Sequence, residues 1–225
     1  MSSARDMGDL VNINPRAAAN RLREARASLQ EHPFPYEEPV PFVHLYRGGF
    51  DGQALIDAFE VTGGWQQAMT GGSKGGGKVG THRDSRTISL DTAFREGGNT
   101  LSDVQKAGFP ILYATERAVW DYRQTYDLHL NRQQGWIINK YGHGGNYLPH
   151  TDHGSTDPRI LSVVVYLNTI SDGGRTFFLE WDWQASCVEG DILLFPSSYP
   201  YIHEAEPVGL NDPTQVKYSM VTWFV

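Results

Sequence analysis

The sequence predicts an α+β fold that is mainly β, with a helical front and a β back. Three observations predict it. From residue 135 onward, short apolar runs at 136–141, 160–167, 176–179, 191–195 and 217–225 alternate with clusters of Gly, Pro, Asn and Asp. Short strands at such spacing suggest an all-β sandwich or barrel. Ahead of that point, 15–29 and 109–130 read as helices from their composition and apolar spacing. Finally, 225 residues with 40% apolar and 12% aromatic side chains suit one globular domain with a sizeable core.

The elements follow in order. Residues 1–12 read as a loose start. Pro15 occupies the first position of a helix running to about residue 29. Residues 32–42 hold four prolines, Pro33, Pro35, Pro39 and Pro41, which predicts an extended connector across the surface. Residues 43–46 read as a strand and 52–61 as a short helix. Residues 72–78 fit G-x-x-x-x-G-K, most of a phosphate-binding loop. However, Val79 stands where Ser or Thr would ligate magnesium, and no apolar strand feeds the loop. The expectation for 71–80 is therefore a glycine-rich surface loop, in its functional version an active-site lid. Residues 86–90 read as a strand. The 109–130 helix buries a stripe of Leu112, Val119, Tyr122 and Tyr126. The chain thus divides into an N-terminal helix and connector, 1–42, and a single domain over 43–225. The β core of that domain falls at about 135–225.

Composition excludes several functions. A net charge of −7 argues against a non-specific grip on nucleic acid, which needs a basic surface. The apolar run at 160–167 is too short to span a bilayer. The first residues lack the apolar stretch of a signal peptide. The single cysteine, Cys187, rules out an intramolecular disulfide framework, so a cytoplasmic location is expected. Oligomeric state is not legible.

The chemistry concentrates in His150-Thr151-Asp152 and His203. On a strand, residues two apart share a face, so His150 and Asp152 would aim into one space. His203 must then come from an opposing strand. Two imidazoles and one carboxylate suit a redox-active iron with positions left open, whereas structural zinc wants four ligands and usually sulfur. His143 and His153 are assigned to the surroundings rather than to the metal. Lys217 sits in the apolar run that ends the chain, and a lysine on an interior strand demands an anionic partner.

Tyr141, Gly144, Tyr147, His150 and Asp152 fit the pattern Y-x-x-G-x-x-Y-x-x-H-x-D. This segment resembles the iron-binding strand of the prolyl 4-hydroxylase-like oxygenases, which use Fe(II), 2-oxoglutarate and O2. The similarity extends over roughly residues 83–225 and includes a Gly-Gly-x-Thr-x-Phe-like turn at 173–177 and a Gly-Asp strand at 190–195. It implies a double-stranded β-helix (jelly-roll, cupin-like) core with supporting helices. It also implies metal ligands His150, Asp152 and His203, with Tyr141, Tyr166, Thr176, Lys217 and Trp223 around the cosubstrate. Lys217 lies further from His203 than is usual in the family, and a loop insertion at 207–214 would absorb the difference.

The activity implied is a 2-oxoglutarate-dependent dioxygenase that hydroxylates an unactivated C–H bond and releases succinate and CO2, with ascorbate a candidate reductant. In that resemblance Asp152 favours hydroxylation, because related halogenases lack the carboxylate. The implied substrate is a prolyl residue in a peptide or protein. Alternatives are a free amino acid or other small molecule, or a non-catalytic cupin-like protein that binds metal or 2-oxoglutarate. Arg83, Arg86 and the 71–80 loop are candidates to line the entrance.

Overall fold

The apolar runs of the C-terminal half alternate with a period of two, and that period sorts their side chains into two cores. The computed structural model describes residues 35–69, 82–90 and 102–225. The expected helix at 15–29 and the Gly/Lys loop at 71–80 lie outside the described residues. The strands are β1 (Tyr36–Val40), β2 (Val43–Arg47), β3 (Gln66–Gln67), β4 (Arg86–Ser89), β5 (Ile137–Tyr141) and β6 (Tyr147–His150). They continue with β7 (Leu161–Tyr166), β8 (Thr176–Phe178), β9 (Trp183–Ala185), β10 (Asp191–Pro196), β11 (His203–Ala205) and β12 (Lys217–Phe224). Two described helices, α1 (Gln53–Thr62) and α2 (Asp103–Tyr126), accompany them.

The strands form an eight-stranded sheet, ordered β1-β2-β10-β7-β12-β5-β4-β3, and a four-stranded sheet, ordered β6-β11-β8-β9. Every strand pairing within them is antiparallel. Such a two-sheet antiparallel architecture is the jelly roll expected from the sequence. On β7, Leu161, Val163 and Val165 belong to a core shared with Ile111, Ala118 and Tyr122 of α2. Tyr166 belongs to a second core, with Tyr141, Phe178 and Phe195, and Val164 packs against that core. On β12, Tyr218 and Met220 pack toward the helices, while Lys217, Ser219, Val221 and Trp223 line a pocket. One strand thus seals the helical layer with one face and presents chemistry with the other.

The helix expected at 109–130 starts earlier and ends earlier. Ser102 caps it, accepting from the Gln105 amide at 3.2 Å, and the Gln105 side chain returns to the Ser102 amide at 2.8 Å. This reciprocal capping box fixes the start at Asp103, and the helix runs on through Pro110, where one backbone hydrogen bond is forfeited. Asp127, at φ 50°, turns left-handed and ends it.

The proline-rich segment is also corrected. It is extended, but 36–40 is the edge strand of the larger sheet, paired with β2. An edge position tolerates Pro39 because one side of the strand needs no ladder donor. That sheet takes β1 to β4 from residues before 135, so the core reaches further forward than 135–225. Among the described residues, no helix is long and apolar enough to cross a membrane.

Candidate metal and cosubstrate site

β6 and β11 are antiparallel, and His150 and His203 are direct cross-strand partners. The expected strand geometry needs one correction: β6 ends at His150, so Asp152 lies just beyond it rather than on it. Convergence survives because the chain bends there, and Ser162 on β7 receives the carboxylate, donating to Oδ2 at 2.6 Å. The ligand-type atoms of His150, Asp152 and His203 all lie within 4.8 Å of one another. Among the described residues they are the one such group of three that could hold a metal. His150 Nε2 is 3.6 Å from Asp152 Oδ1, and His203 Nε2 is 3.7 Å from Oδ2.

The second nitrogen of each ring fixes what the first can do. His150 Nδ1 is 2.8 Å from the Leu148 carbonyl, and His203 Nδ1 is 3.1 Å from the Tyr201 carbonyl. A carbonyl only accepts, so each Nδ1 carries the hydrogen and each neutral Nε2 keeps a lone pair directed at the shared space. Burial lowers His203 to about 4, against the opposing pull of Asp152, so its imidazole is neutral near pH 7. Burial works to raise the Asp152 carboxyl. His203, His150 and the Ser162 hydroxyl outweigh it and hold the group well below the usual carboxylate range. A carboxylate anion at Asp152 and a neutral His203 are protonation states that a divalent cation requires.

Lys217 is 2% exposed. Its Nζ donates to the Gly174 carbonyl at 2.5 Å and lies 5.4 Å from the ring centroids of both Tyr141 and Tyr166. Among the described residues no carboxylate forms an ion pair with it. A buried ammonium held by one carbonyl and two ring faces is a receptor for an anion. Tyr141, Thr176 and Trp223 line the same pocket as the triad and Lys217. Tyr166, fully buried behind it, donates to Thr176 Oγ1 at 2.7 Å.

The long span between His203 and Lys217 is taken up by the loop after β11. Asp172 pins that loop, accepting from the amides of Asn211 at 2.6 Å and Asp212 at 2.8 Å. Gly173 permits the fit: at φ +73° a Cβ there would stand 1.9 Å from the Pro207 carbonyl oxygen.

The structure separates the remaining candidates. Arg83 reaches the pocket, whereas Arg86 is exposed on β4 and does not line it. His143 Nδ1 pairs with the Gly209 carbonyl and His153 Nδ1 with the Arg159 carbonyl, and neither joins the triad. Tyr147 stacks on His150, ring centroids 3.6 Å apart. Sequence reasoning missed Ser162, Ser197 and Arg159. Ser197 pairs with Ser162 at 2.8 Å, extending the hold on Asp152. Arg159 lies 3.8 Å over the Trp223 ring. A serine inside the run Leu161-Ser-Val-Val-Val-Tyr166 was the available signal, since a buried hydroxyl needs a partner.

The two sheets and the triad define a jelly-roll fold with a candidate metal site and a buried lysine beside it. Residues 136–225 match the family model described as the 2OG-Fe(II) oxygenase superfamily. That matched stretch carries His150, Asp152, His203 and Lys217, and the fold of the chain is similar to that of prolyl 4-hydroxylases. Among solved structures, a Pseudomonas putida prolyl-4-hydroxylase is similar at 18% identity and TM-score 0.57, covering 90% of this chain and 97% of that one. A Trichoplax adhaerens prolyl hydroxylase, in complex with a hypoxia inducible factor peptide fragment, superposes with TM-score 0.64 at 12% identity, covering 94% and 93%. A viral collagen prolyl hydroxylase from Paramecium Bursaria Chlorella virus-1 gives 0.56 at 15%, covering 81% and 95%. Among curated proteins none matches the chain.

Proposed function

We propose that the protein hydroxylates a prolyl residue of a peptide or protein. His150, Asp152 and His203 hold the iron in this reading, and Lys217 anchors the far carboxylate of 2-oxoglutarate. The observation that carries it is the buried Lys217 ammonium, unpaired by any described carboxylate and sharing one pocket with the triad. Fe(II) with 2-oxoglutarate supplies the oxidising power, consuming O2 and releasing succinate and CO2.

The chain supplies position and charge. The two Nε2 atoms and one Asp152 oxygen would hold the metal as three protein ligands. Ser162 keeps the Asp152 carboxylate from rotating, with Ser197 behind it. Thr176 and Tyr141 border the cosubstrate beside Lys217, and Tyr166 orients the Thr176 hydroxyl. Tyr147 and Trp223 wall the opening and limit water. The preference for a prolyl substrate rests on the fold likeness to prolyl hydroxylases, one of them in complex with a peptide fragment. Cys187, the one cysteine, is buried, in keeping with a cytoplasmic enzyme.

The test is succinate release with Fe(II) and 2-oxoglutarate each omitted in turn, followed by mass spectrometry for one added oxygen on prolyl peptides. Succinate should require both, and the oxygen should map to proline. Normal turnover by His150→Ala would remove the ligand assignment, and oxygen found only on a free amino acid would remove the peptide assignment.

A further inference from the structure

Arg83 lines the pocket of the triad and Arg159 covers Trp223 in its wall, and neither is neutralised by a described carboxylate. Arg83 donates from Nε to Ser85 Oγ at 2.9 Å and from Nη2 to Asn139 Oδ1 at 2.5 Å. Its Cζ lies 4.8 Å from the centroid of Tyr147, the ring stacked on His150. Arg159 donates from Nε to Gln134 Oε1 at 2.8 Å and from Nη1 to the Asp152 carbonyl at 3.4 Å, while covering Trp223. Every one of these acceptors is neutral. The two guanidiniums are therefore oriented by hydrogen bonds but not discharged by them.

Arg83 lies over Tyr147 and Arg159 over Trp223, and both rings line the pocket of the triad. The two guanidiniums thus back the walls of one opening. Glu204 lines the same pocket but makes no ion pair with either arginine. In a chain of net charge −7, two unpaired cations at one opening are a local reversal of sign. With Fe(II) and the 2-oxoglutarate dianion in place, the charges of metal, Asp152, Lys217 and cosubstrate cancel. The two guanidiniums then outnumber the one remaining carboxylate of the lining, Glu204, and leave the loaded site net positive.

We propose that Arg83 and Arg159 form an anion subsite that receives a carboxylate of the substrate, so the molecule hydroxylated is a carboxylate-bearing one. The carboxylate has two sources, the α-carboxylate of a free or C-terminal proline and an acidic side chain flanking the proline in a peptide. Both present the planar oxygen pair that a guanidinium fork matches. The proposal rests on the oxygenase reading of the triad.

The experiment uses the full chain loaded anaerobically with Fe(II) and 2-oxoglutarate, its visible charge-transfer band recorded first. Calorimetry then compares N-acetyl-L-proline with N-acetyl-L-prolinamide, and capped peptides carrying Glu beside proline with their Gln counterparts. One or both carboxylate members should bind about tenfold or more tighter than the neutral partner, as for loss of a charge-assisted hydrogen bond. Rising salt should erode that margin. Arg83→Gln and Arg159→Gln should abolish it while the charge-transfer band persists, and Arg83→Lys should retain part of it. Tight binding by N-acetyl-L-proline alone assigns a small molecule or a C-terminus, and by the Glu peptides alone an acidic peptide. Equal affinities, no saturable binding of any carboxylate probe, or a preference that survives in the double Gln variant overturns the subsite. Absence of the band before any probe is added is instead a failure of the oxygenase reading.

Discussion

Among the described residues, two clusters draw on histidine and aspartate, one half-buried at the metal site and one buried where β2 meets α2. In the second, His44 is fully buried, with Nδ1 2.9 Å from Tyr46 Oη and Nε2 2.7 Å from Tyr126 Oη. Tyr46 donates on to Asp121 at 3.0 Å, and the Tyr36 ring stacks on His44 at 3.7 Å. Both ring nitrogens are spent on tyrosines, and the carboxylate is satisfied by a hydroxyl. In the first cluster each histidine spends only Nδ1, on a backbone carbonyl, and turns Nε2 toward a carboxylate and open space. Burial alone thus does not distinguish a site from a brace. What distinguishes them is whether a lone pair or a charge is left without a partner.

The comparison breaks first at Asp152. Asp152→Ala should lower iron-dependent succinate release by at least about 100-fold, beyond the usual effect of losing a residue around the ligands. Its melting temperature without metal should change little, which calorimetry can verify. Lys217→Met sharpens the contrast by sign. Affinity for 2-oxoglutarate should fall by a factor on the order of 100, as for loss of a buried charge partner. Apo-protein stability should hold or rise, because an unpaired buried charge is removed; urea unfolding reads both directions.

His44→Phe should do the reverse of Lys217→Met. It removes one hydrogen bond from each of two tyrosine hydroxyls, which keep Asp121 and Glu38 as partners, and should cost about 1–3 kcal/mol of stability, while iron uptake stays at one per chain. Acid should act on the same brace. Burial lowers His44 to about 4, opposed by Glu38, with Tyr36, Tyr46, Tyr122, Tyr126 and Asp121 the other groups around it. The folded state therefore binds its proton later than the unfolded chain. The resulting stability is whole above about pH 6.5, the ordinary histidine value, and is lost as pH falls toward 4, by at most about 1.4 kcal/mol per pH unit. His44→Gln should flatten that slope in acid denaturation. The smallest effect belongs to Ser162→Ala, which should loosen iron by about tenfold with stability nearly unchanged.

The open cluster was legible in the sequence and the closed one was not, and the reason is physical. His150, Asp152 and Lys217 fall in a short-period β segment, where alternation says which side chains share a face. His203 could be paired with them because its apolar neighbours place it on another strand. The brace joins His44 to Asp121 and Tyr126 across about eighty residues, and no local spacing encodes that contact. Extended structure was legible at 32–42, but its pairing with β2 was not, because four prolines argue against a ladder until an edge position is known. The first turns of α2 were not read, although Ser102 and Gln105 carry the capping pattern that fixes its start. Asp152 was placed on a strand by the alternation that also aimed it; the strand stops two residues sooner, at His150, and Ser162 completes the aim.

The central claim is that the unspent groups of the first cluster bind iron and 2-oxoglutarate together. Anaerobic titration of the metal-free protein with Fe(II) and then 2-oxoglutarate tests it most directly. The account predicts a visible charge-transfer band that saturates at one iron per chain, disappears in His150→Ala, and needs far more 2-oxoglutarate in Lys217→Met. A band that forms equally well in both variants, or none in the unaltered protein, would contradict it.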